Sequence, residues 1–330
     1  MKKLILIFTF ISGVIASSNS LAQKDSTHIG FILANLYSER WHKDMSYFKE
    51  KANELGAKVT FIDCFDSEEE QANAARKLVQ LDVDCIVFVP IAISDKSVVA
   101  IARQAAIPVI SYDRFVNSED LDLYISFDSE HVGEMMAKQV TERLPAGNIL
   151  FVGGPSSDFN SALVRKGVFS VLKREREKYE IKKVNTSDWS ELSAFMTVQK
   201  YLEETKFKPD AIICSSDLLT TGVMYVLEEM GLMGDVLLTG QDGNLNICRQ
   251  IIKGNVLMTV YKSNRKLAYT AAEAAVDIAK EGSLNKVDAG NYFMKVPAIL
   301  KSTTVLNKEN IDQMMTMLNI YSKEELYGAE

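Results

Sequence analysis

The stretch His28-Ile29-Gly30-Phe31-Ile32-Leu33-Ala34, together with the segment that follows it, decides the fold. These seven residues form a short, almost entirely apolar run, which predicts a buried β-strand. The next segment predicts an amphipathic helix, because its apolar residues recur every three or four positions. Those residues are Trp41, Met45, Phe48, Ala52 and Leu55. A strand followed directly by a helix is the first half of a β-α-β unit.

The same alternation of strand and helix continues along the chain. Further strands are predicted at 58–64, 85–89, 108–112 and 123–127, with helices at 67–81, 94–106 and 129–144. A second series of strands is predicted at 148–153, 211–215, 236–240 and 256–261, and a capping helix at 311–318. Alternating strands and helices are typical of parallel sheets covered by helices on both faces. Two successive series predict two doubly wound α/β lobes.

The composition supports a globular chain and excludes several partners. Of 330 residues, 47% are hydrophobic and only 17 are Gly and 6 Pro, which excludes a collagen-like or disordered chain. The formal net charge of −7 is not concentrated in any block. Nucleic acids and anionic membranes need a basic surface, so we expect neither as a partner.

The N-terminus predicts export. Lys2 and Lys3 precede an apolar run at 4–16, and the small residues Ser20 and Ala22 lie at the cleavage-determining positions. We therefore predict a signal peptide at 1–22 and a periplasmic mature protein, whose formal net charge changes from −7 to −9 with the loss of the two lysines. An uncleaved membrane anchor is the alternative, although the run is shorter than the ~20 residues that span a bilayer.

The sequence contains no pattern typical of catalysis, a metal or a cofactor. The four cysteines, Cys64, Cys85, Cys214 and Cys248, show no C-x-x-C spacing, and the three histidines have no metal-ligand spacing. Nucleophile-elbow, P-loop and dinucleotide-binding motifs are absent. We expect a protein that is not an enzyme, needs no cofactor and keeps its cysteines as buried free thiols. Export also permits disulfides, so that alternative stays open.

Polar and aromatic residues follow the predicted strands. In open parallel sheets, ligands bind beyond the carboxyl ends of the strands. Carboxylate, amide and guanidinium groups bind vicinal hydroxyls, and an indole covers the apolar face of a pyranose, so these residues predict a sugar site. They are Arg40, Trp41, Asp113, Arg114, Asp158, Asn160, Trp189, Ser216, Asp242 and Lys262.

Several residues at the strand ends also have an ordinary structural interpretation. Asp158 and Asp217 are equally suited to cap helices. Asp113 and Arg114 are suited to a surface ion pair, Trp41 to the apolar stripe of its helix, and Lys262 to a solvated turn. Trp189 is harder to explain in this way, because it lies in a polar stretch at 186–191.

Several motifs resemble one family. From His28 to about Val305 the chain resembles the type I periplasmic sugar-binding proteins, and within them the D-xylose-binding proteins of ABC importers. The resemblance is carried by Glu39-Arg40-Trp41, Val109-Ile110-Ser111-Tyr112-Asp113-Arg114, Leu123-Tyr124-Ile125-Ser126-Phe127-Asp128 with Val132-Gly133-Glu134, Gly240-Gln241-Asp242 and Met258-Thr259-Val260-Tyr261-Lys262.

The resemblance implies two lobes joined by three hinge crossings, with a sugar bound between them. It implies a first lobe at 23–128 plus 263–291 and a second lobe at 129–262 plus 292–330. Nine of the ten residues proposed for the site match family sugar-contact positions. At the tenth, Ser216, the family has an amide side chain, and Phe159 stands where a polar residue is usual.

The ligand expected from these residues is a neutral pentose, with D-xylose as first choice. Arg40, Arg114 and Lys262 are matched in number by Asp113, Asp158 and Asp242, which leaves no positive surplus for an acidic sugar. Two indoles would cover a flat ring with equatorial hydroxyls, and Phe159 would obstruct the hydroxymethyl group of a hexose.

Two functions remain open for such a protein. The first is delivery of the monosaccharide by a monomeric carrier to a membrane ABC sugar permease. The second is docking on a membrane receptor kinase or chemoreceptor as a sugar sensor. A sugar-responsive repressor is disfavoured, because the export signal stands where a DNA-binding domain would precede the first strand.

Overall fold

The computed structural model describes residues 26–37, 39–281, 291–318 and 320–328. The signal peptide predicted at 1–22 lies outside the described residues. The first β-α series consists of β1 (Thr27–Leu33), α1 (Glu39–Glu54), β2 (Ala57–Asp63), α2 (Glu68–Gln80), β3 (Cys85–Phe88), α3 (Ser97–Gln104), β4 (Val109–Tyr112) and β5 (Leu123–Phe127).

The second series begins directly after β5 and forms a separate sheet. It consists of α4 (Ser129–Arg143), β6 (Gly147–Gly153), α5 (Phe159–Leu172), a 3-10 turn (Lys173–Glu175), β7 (Tyr179–Asn185), α6 (Glu191–Thr205), β8 (Ala211–Cys214), α7 (Asp217–Glu229), β9 (Leu237–Asp242), α8 (Leu245–Lys253) and β10 (Met258–Tyr261).

The last part of the chain contributes to both lobes. It consists of α9 (Asn264–Glu281), β11 (Asn291–Phe293), β12 (Val296–Lys301), β13 (Thr304–Asn307), α10 (Ile311–Met317) and α11 (Lys323–Tyr327). In the described residues the first sheet has the order β11-β12-β5-β4-β3-β1-β2, and the second has the order β13-β10-β9-β8-β6-β7. Only the pairings β11 with β12 and β10 with β13 are antiparallel among those described. The predicted fold of two parallel α/β lobes is confirmed.

The chain crosses between the lobes three times, and the third crossing differs from the prediction. The first two crossings lie between β5 and α4 and between β10 and α9, as expected from the lobe bounds. The third was expected after residue 291. Instead, β12 pairs in parallel with β5 in the first sheet, so that Lys301 lies beside Phe127. The third crossing therefore falls between Lys301 and Thr304, since β13 already belongs to the second sheet.

Buried apolar residues fill both lobes. In the first lobe, α9 returns to pack against α1 and the central strands, with Ala271 and Ala275 fully buried. In the second lobe, α4 and α5 approach closely, because a Cβ on Gly167 would collide with the backbone carbonyl of Glu130. Burial of this apolar surface is the main force that stabilises the two lobes.

The four cysteines of the chain form no disulfide bonds. Cys64, Cys85, Cys214 and Cys248 are all buried and free, which confirms the expectation of free thiols. Burial raises the pKa of the Cys64 thiol to about 12. Among the helices of the described ranges, none is long and apolar enough to cross a membrane.

Candidate functional site

The predicted site residues lie at the carboxyl ends of the strands of both sheets. Arg40 and Trp41 open α1 after β1, and Asp113 and Arg114 follow β4. In the second lobe, Asp158 and Asn160 follow β6, Trp189 follows β7, Ser216 follows β8, Asp242 ends β9 and Lys262 follows β10. The placement agrees with the general location of ligands in open parallel sheets.

Arg40 lies at the centre of the half-site in the first lobe. Its Nη2 donates a hydrogen bond of 2.5 Å to Asp113 Oδ1, and its Nε lies 3.6 Å from Asp44 Oδ2. Its guanidinium also stacks on Trp41, with Cζ 4.7 Å from the ring centroid. Burial alone would lower the pKa of Arg40, but the charges of Asp113 and Asp44 outweigh it and raise the pKa.

Asp113 is held by its backbone as well as by its side chain. Its φ of 64° is left-handed, a conformation that Asp tolerates better than most residues. Its carbonyl oxygen accepts hydrogen bonds from Tyr124 Oη at 3.2 Å and Ser126 Oγ at 2.7 Å. Burial would raise the pKa of the carboxyl group, but Arg40 and then Lys262 lower it, so that Asp113 is ionised.

The two lobes contact each other at this point. Asn160 Nδ2 in the second lobe donates a 3.1 Å hydrogen bond to the carbonyl oxygen of Asp113. Arg114 Nε in the first lobe lies 3.6 Å from Asp158 Oδ2. The carbonyl oxygen of Asn160, Oδ1, is buried and has no hydrogen-bond partner within the described structure. It is an acceptor that a ligand hydroxyl can use.

Phe159 packs in an aromatic cluster between the lobes. Its ring centroid lies 5.8 Å from those of both Phe115 and Phe293. These contacts occupy the ring in packing against the first lobe. The expectation that Phe159 limits the size of the sugar therefore finds no support in its contacts.

Asp158 is both a helix cap and a site residue. Its Oδ1 accepts a hydrogen bond from the backbone N–H of Ser161, which caps α5. Its Oδ2 accepts one from Trp189 Nε1 at 3.2 Å and lies beside Arg114. Trp189 lies over Gly154, where a Cβ would collide with the indole. Gly154 thus allows the indole to approach the backbone at the edge of the site.

Asp242 and Lys262 form the second charged pair of this lobe. Lys262 Nζ lies 2.8 Å from Asp242 Oδ1, and it also lies 5.8 Å from the ring centroid of Phe127 in the first lobe. The φ of Asp242 is 122°, so the backbone is strained where the side chain enters the site. The pair is therefore held by an unusual backbone conformation at the end of β9.

Asp217 accepts hydrogen bonds from the loop that follows Asp242. Its Oδ2 accepts hydrogen bonds from the backbone N–H groups of Gly243 and Asn244, and its Oδ1 accepts one from Thr259 Oγ1 at 2.8 Å. Burial and then the charge of Asp242 raise the pKa of Asp217 well above its ordinary value. The capping role considered for Asp217 belongs instead to Ser216.

Ser216 is engaged in capping α7. Its Oγ accepts a hydrogen bond from the backbone N–H of Leu219 at 3.2 Å. Its carbonyl oxygen accepts hydrogen bonds from both the backbone N–H and the Oγ1 of Thr220. A contact of Ser216 with the ligand therefore remains only a prediction.

Sequence reasoning missed the buried carboxyl group of Asp44 and considered Asp217, which is also buried, only as a helix cap. Asp44 is fully buried on α1. From the sequence alone, an acidic residue of an amphipathic helix is expected to face solvent. Its spacing of four residues from Arg40 was the one available signal, because residues four apart share a helix face.

The arrangement is suited to binding a polyhydroxylated ligand without chemistry. Guanidinium, ammonium, carboxylate and amide groups from both lobes lie together, with the buried indole of Trp41 against Arg40 and that of Trp189 beside Asp158. No group of His, Cys, Asp and Glu suited to a metal ion occurs among the residues that the structure describes. The fold and the site define a two-lobed ligand-binding protein.

The comparisons with known proteins give the family. A family described as "Periplasmic binding protein domain" matches residues 29–283, and the chain belongs to this family of periplasmic binding proteins. The D-xylose-binding periplasmic protein of Haemophilus influenzae is 33% identical over 97% of this chain and 98% of its own length. That of Escherichia coli is 35% identical over 94% and 95%, respectively. The resemblance to the type I sugar-binding family is confirmed, and these relatives are binding proteins rather than enzymes.

The solved structures show the same fold. A carbohydrate transporter solute-binding protein from Chloroflexus aurantiacus, in complex with D-glucose, superimposes with a TM-score of 0.82 at 22% identity. The match covers 91% of this chain and 98% of that protein. At this identity the likeness supports the fold alone.

Proposed function

We propose that the protein binds one neutral monosaccharide, D-xylose, between its lobes and delivers it to an ABC-type sugar importer. The observation that carries the proposal is that charged and amide groups from both lobes meet at one place. Arg114 lies beside Asp158, and Asn160 donates to Asp113, across the boundary between the lobes. The similarity to two D-xylose-binding proteins over nearly the whole chain supports this choice of sugar.

The charges of the site favour a neutral ligand. The sequence-based count paired Arg40, Arg114 and Lys262 with three carboxylates, and the buried Asp44 now adds a fourth carboxyl group. Its pKa is raised to about 7, mainly by burial, so near neutral pH it is partly ionised. The site therefore has no positive surplus that would attract a sugar acid or a sugar phosphate.

Calorimetry tests the ligand directly. D-Xylose, L-arabinose, D-ribose, D-glucose and D-galactose are titrated into the mature protein under identical conditions. We expect D-xylose to bind most tightly and glucuronate, as an anionic control, not to bind. Tighter binding of either hexose than of every pentose would contradict the proposed specificity, while binding of any of the sugars would still support a sugar carrier.

Binding is proposed to draw the lobes together by a hinge movement. A ligand that contacts both lobes favours the conformation in which both sets of contacts are made. Small-angle scattering is expected to give a smaller radius of gyration at saturating D-xylose than without sugar. An unchanged radius at saturation would count against hinge closure. Light scattering on the same samples tests the proposal that the carrier is a monomer.

Export and delivery are tested in the native host. Mass spectrometry of the protein from the periplasmic fraction is expected to show Gln23 as the first residue, after cleavage behind Ala22. Deletion of the gene is expected to reduce uptake of labelled D-xylose at low concentration. Retention of Met1 would contradict the proposed export. Unchanged uptake would contradict the proposed delivery.

A further inference from the structure

A second carboxyl group, besides that of Asp113, lies beside the guanidinium of Arg40. Asp44 is on α1, one helical turn after Arg40, and its side chain is fully buried. Its Oδ2 lies 3.6 Å from Arg40 Nε and accepts a 2.9 Å hydrogen bond from Tyr112 Oη. Its Oδ1 is buried and has no hydrogen-bond partner in the described part of the chain.

We infer that Asp44 is a positioning residue for Arg40, and that its ionisation controls the affinity for sugar. The inference rests on the proposed function, since it assigns a regulation to the same site. Arg40 lies between two carboxyl groups, with Asp113 bound at Nη2 and Asp44 facing Nε. A guanidinium is planar, so the hydrogen bond at Nη2 and the charge of Asp44, 3.6 Å from Nε, together favour one orientation of the whole plane. Asp44 thereby keeps the donors of Arg40 directed at the site.

The surroundings of Asp44 determine when it is ionised. Burial raises its pKa to about 7, against the opposing charge of Arg40 and with a further increase from Asp113. Tyr112 and Lys262 favour the ionised form to a smaller extent. On the neighbouring α9, Arg265 and Glu273 pair with Glu50 and Lys51 at the surface.

The sign of the pH dependence follows from the role of the charge. Above pH 7 Asp44 is ionised, and its negative charge attracts the guanidinium of Arg40. Below pH 7 it becomes neutral, so that the guanidinium loses the attraction of Asp44 and its plane is less well fixed. The affinity for D-xylose is therefore expected to rise between pH 6 and pH 8. An exported carrier would then release sugar more readily in an acidified medium.

The test compares the wild type with Asp44→Asn, which keeps the shape of the side chain and removes its charge. Calorimetry with D-xylose is carried out from pH 5.5 to 8.5. For the wild type we expect binding to be about fivefold tighter at the upper end, within the range for contacts of partly screened charges. Asp44→Asn is expected to bind at every pH as weakly as the wild type does in acid. A merely structural role would weaken binding without removing the slope.

Two control variants separate Asp44 from its neighbours. Glu54→Gln removes a charge from the exposed end of the same helix and is expected to keep the slope of the wild type. His42→Gln removes an exposed histidine of the same helix. A slope that disappears in His42→Gln but persists in Asp44→Asn would overturn the inference.

A second measurement does not depend on the sugar. Carbon-detected NMR of the sugar-free protein follows the Asp44 carboxyl group, assigned by its absence in Asp44→Asn. A midpoint near pH 7 is expected, and a midpoint near the ordinary value of about 4 would overturn the inference. A flat affinity profile of the wild type would contradict the inference alone. Absence of D-xylose binding at every pH would contradict the proposed function and this inference with it.

Discussion

The two halves of the site are built differently, although both use carboxylates beside cations. In the first lobe, Arg40 is enclosed by Asp44 and Asp113, and the latter is fixed by Tyr124 and Ser126. These groups form one buried network. Each side chain is placed by at least one other side chain of the same lobe.

In the second lobe, the polar residues are held in pairs or by helix caps, close to turns. Asp158 caps α5, Ser216 caps α7, and Asp242 stands at a strained backbone position beside Lys262. The Asp242 side chain keeps 26% of its surface exposed, whereas that of Asp113 keeps 6%. The first lobe thus carries a preorganised half-site. In the second lobe, a single residue can be replaced with less effect on its neighbours. Affinity is expected to depend mainly on the first half.

The largest loss of binding is expected for Asp113→Ala. Removing one partner of a buried ion pair costs about 3–5 kcal/mol, because the remaining charge is left uncompensated. At ~1.4 kcal/mol per factor of ten, the affinity for D-xylose should fall by at least about a hundredfold. Calorimetry measures the loss, and Asp235→Ala, at an exposed turn of the second lobe, serves as control. A loss below tenfold would mean that the first half-site is not preorganised.

A smaller loss is expected for Asp242→Ala in the second lobe. The carboxylate is partly exposed, so that Lys262 can recover contact with water when its partner is removed. A charge-assisted hydrogen bond contributes about 1.5–3 kcal/mol, which corresponds to a loss of at least about tenfold in affinity. Urea unfolding should show little change in stability. If Asp242→Ala weakened binding more than Asp113→Ala, the proposed difference between the lobes would be reversed.

Replacement of the indole tests one contact within the second half. Trp189→Phe keeps an aromatic face but removes the N–H that donates to Asp158. A single neutral donor contributes about 0.5–1.5 kcal/mol, so affinity should fall about threefold. Trp189→Ala, measured in parallel, should lose more because the face is removed as well. Equal losses in the two variants would show that only the hydrogen bond matters.

The smallest effect on binding is expected for Ser216→Ala. Loss of a helix cap costs ~1 kcal/mol of stability, while affinity should stay within about twofold of the wild type. Thermal unfolding and calorimetry on the same samples give both values. Unchanged stability with a tenfold loss of affinity would instead support the direct sugar contact that the sequence suggested for Ser216.

The fold could be predicted because its strands are buried on both faces. Strands such as β3 and β8 are short apolar runs between turn residues, and this pattern is unambiguous in a parallel sheet. Strand β7 at the edge was missed, since Tyr179–Asn185 has neither a continuous apolar run nor a regular alternation and is partly exposed. The third crossing was misplaced for a related reason, because β12 and β13 are separated by only two residues.

The site could be predicted where a residue stands directly at a strand end. Asp113, Arg114 and Asp242 are of this kind, and strand ends converge in any open parallel sheet. Asp44, and the role of Asp217 in holding the loop after Asp242, could not be found in this way, because both depend on what the carboxyl groups contact across the fold. Such contacts depend on tertiary packing, which the local sequence does not encode.

The buried thiols have a consequence for how the molecule can be observed. Cys64 and Cys85 lie in the first lobe, and Cys214 and Cys248 lie in the second, all inaccessible in the folded state. A buried thiol with a raised pKa reacts slowly, so a labelling reagent modifies it only when the surrounding lobe transiently unfolds. The rate of labelling at each cysteine, measured by peptide mass, would therefore report how often each lobe transiently unfolds. No probe would need to be introduced.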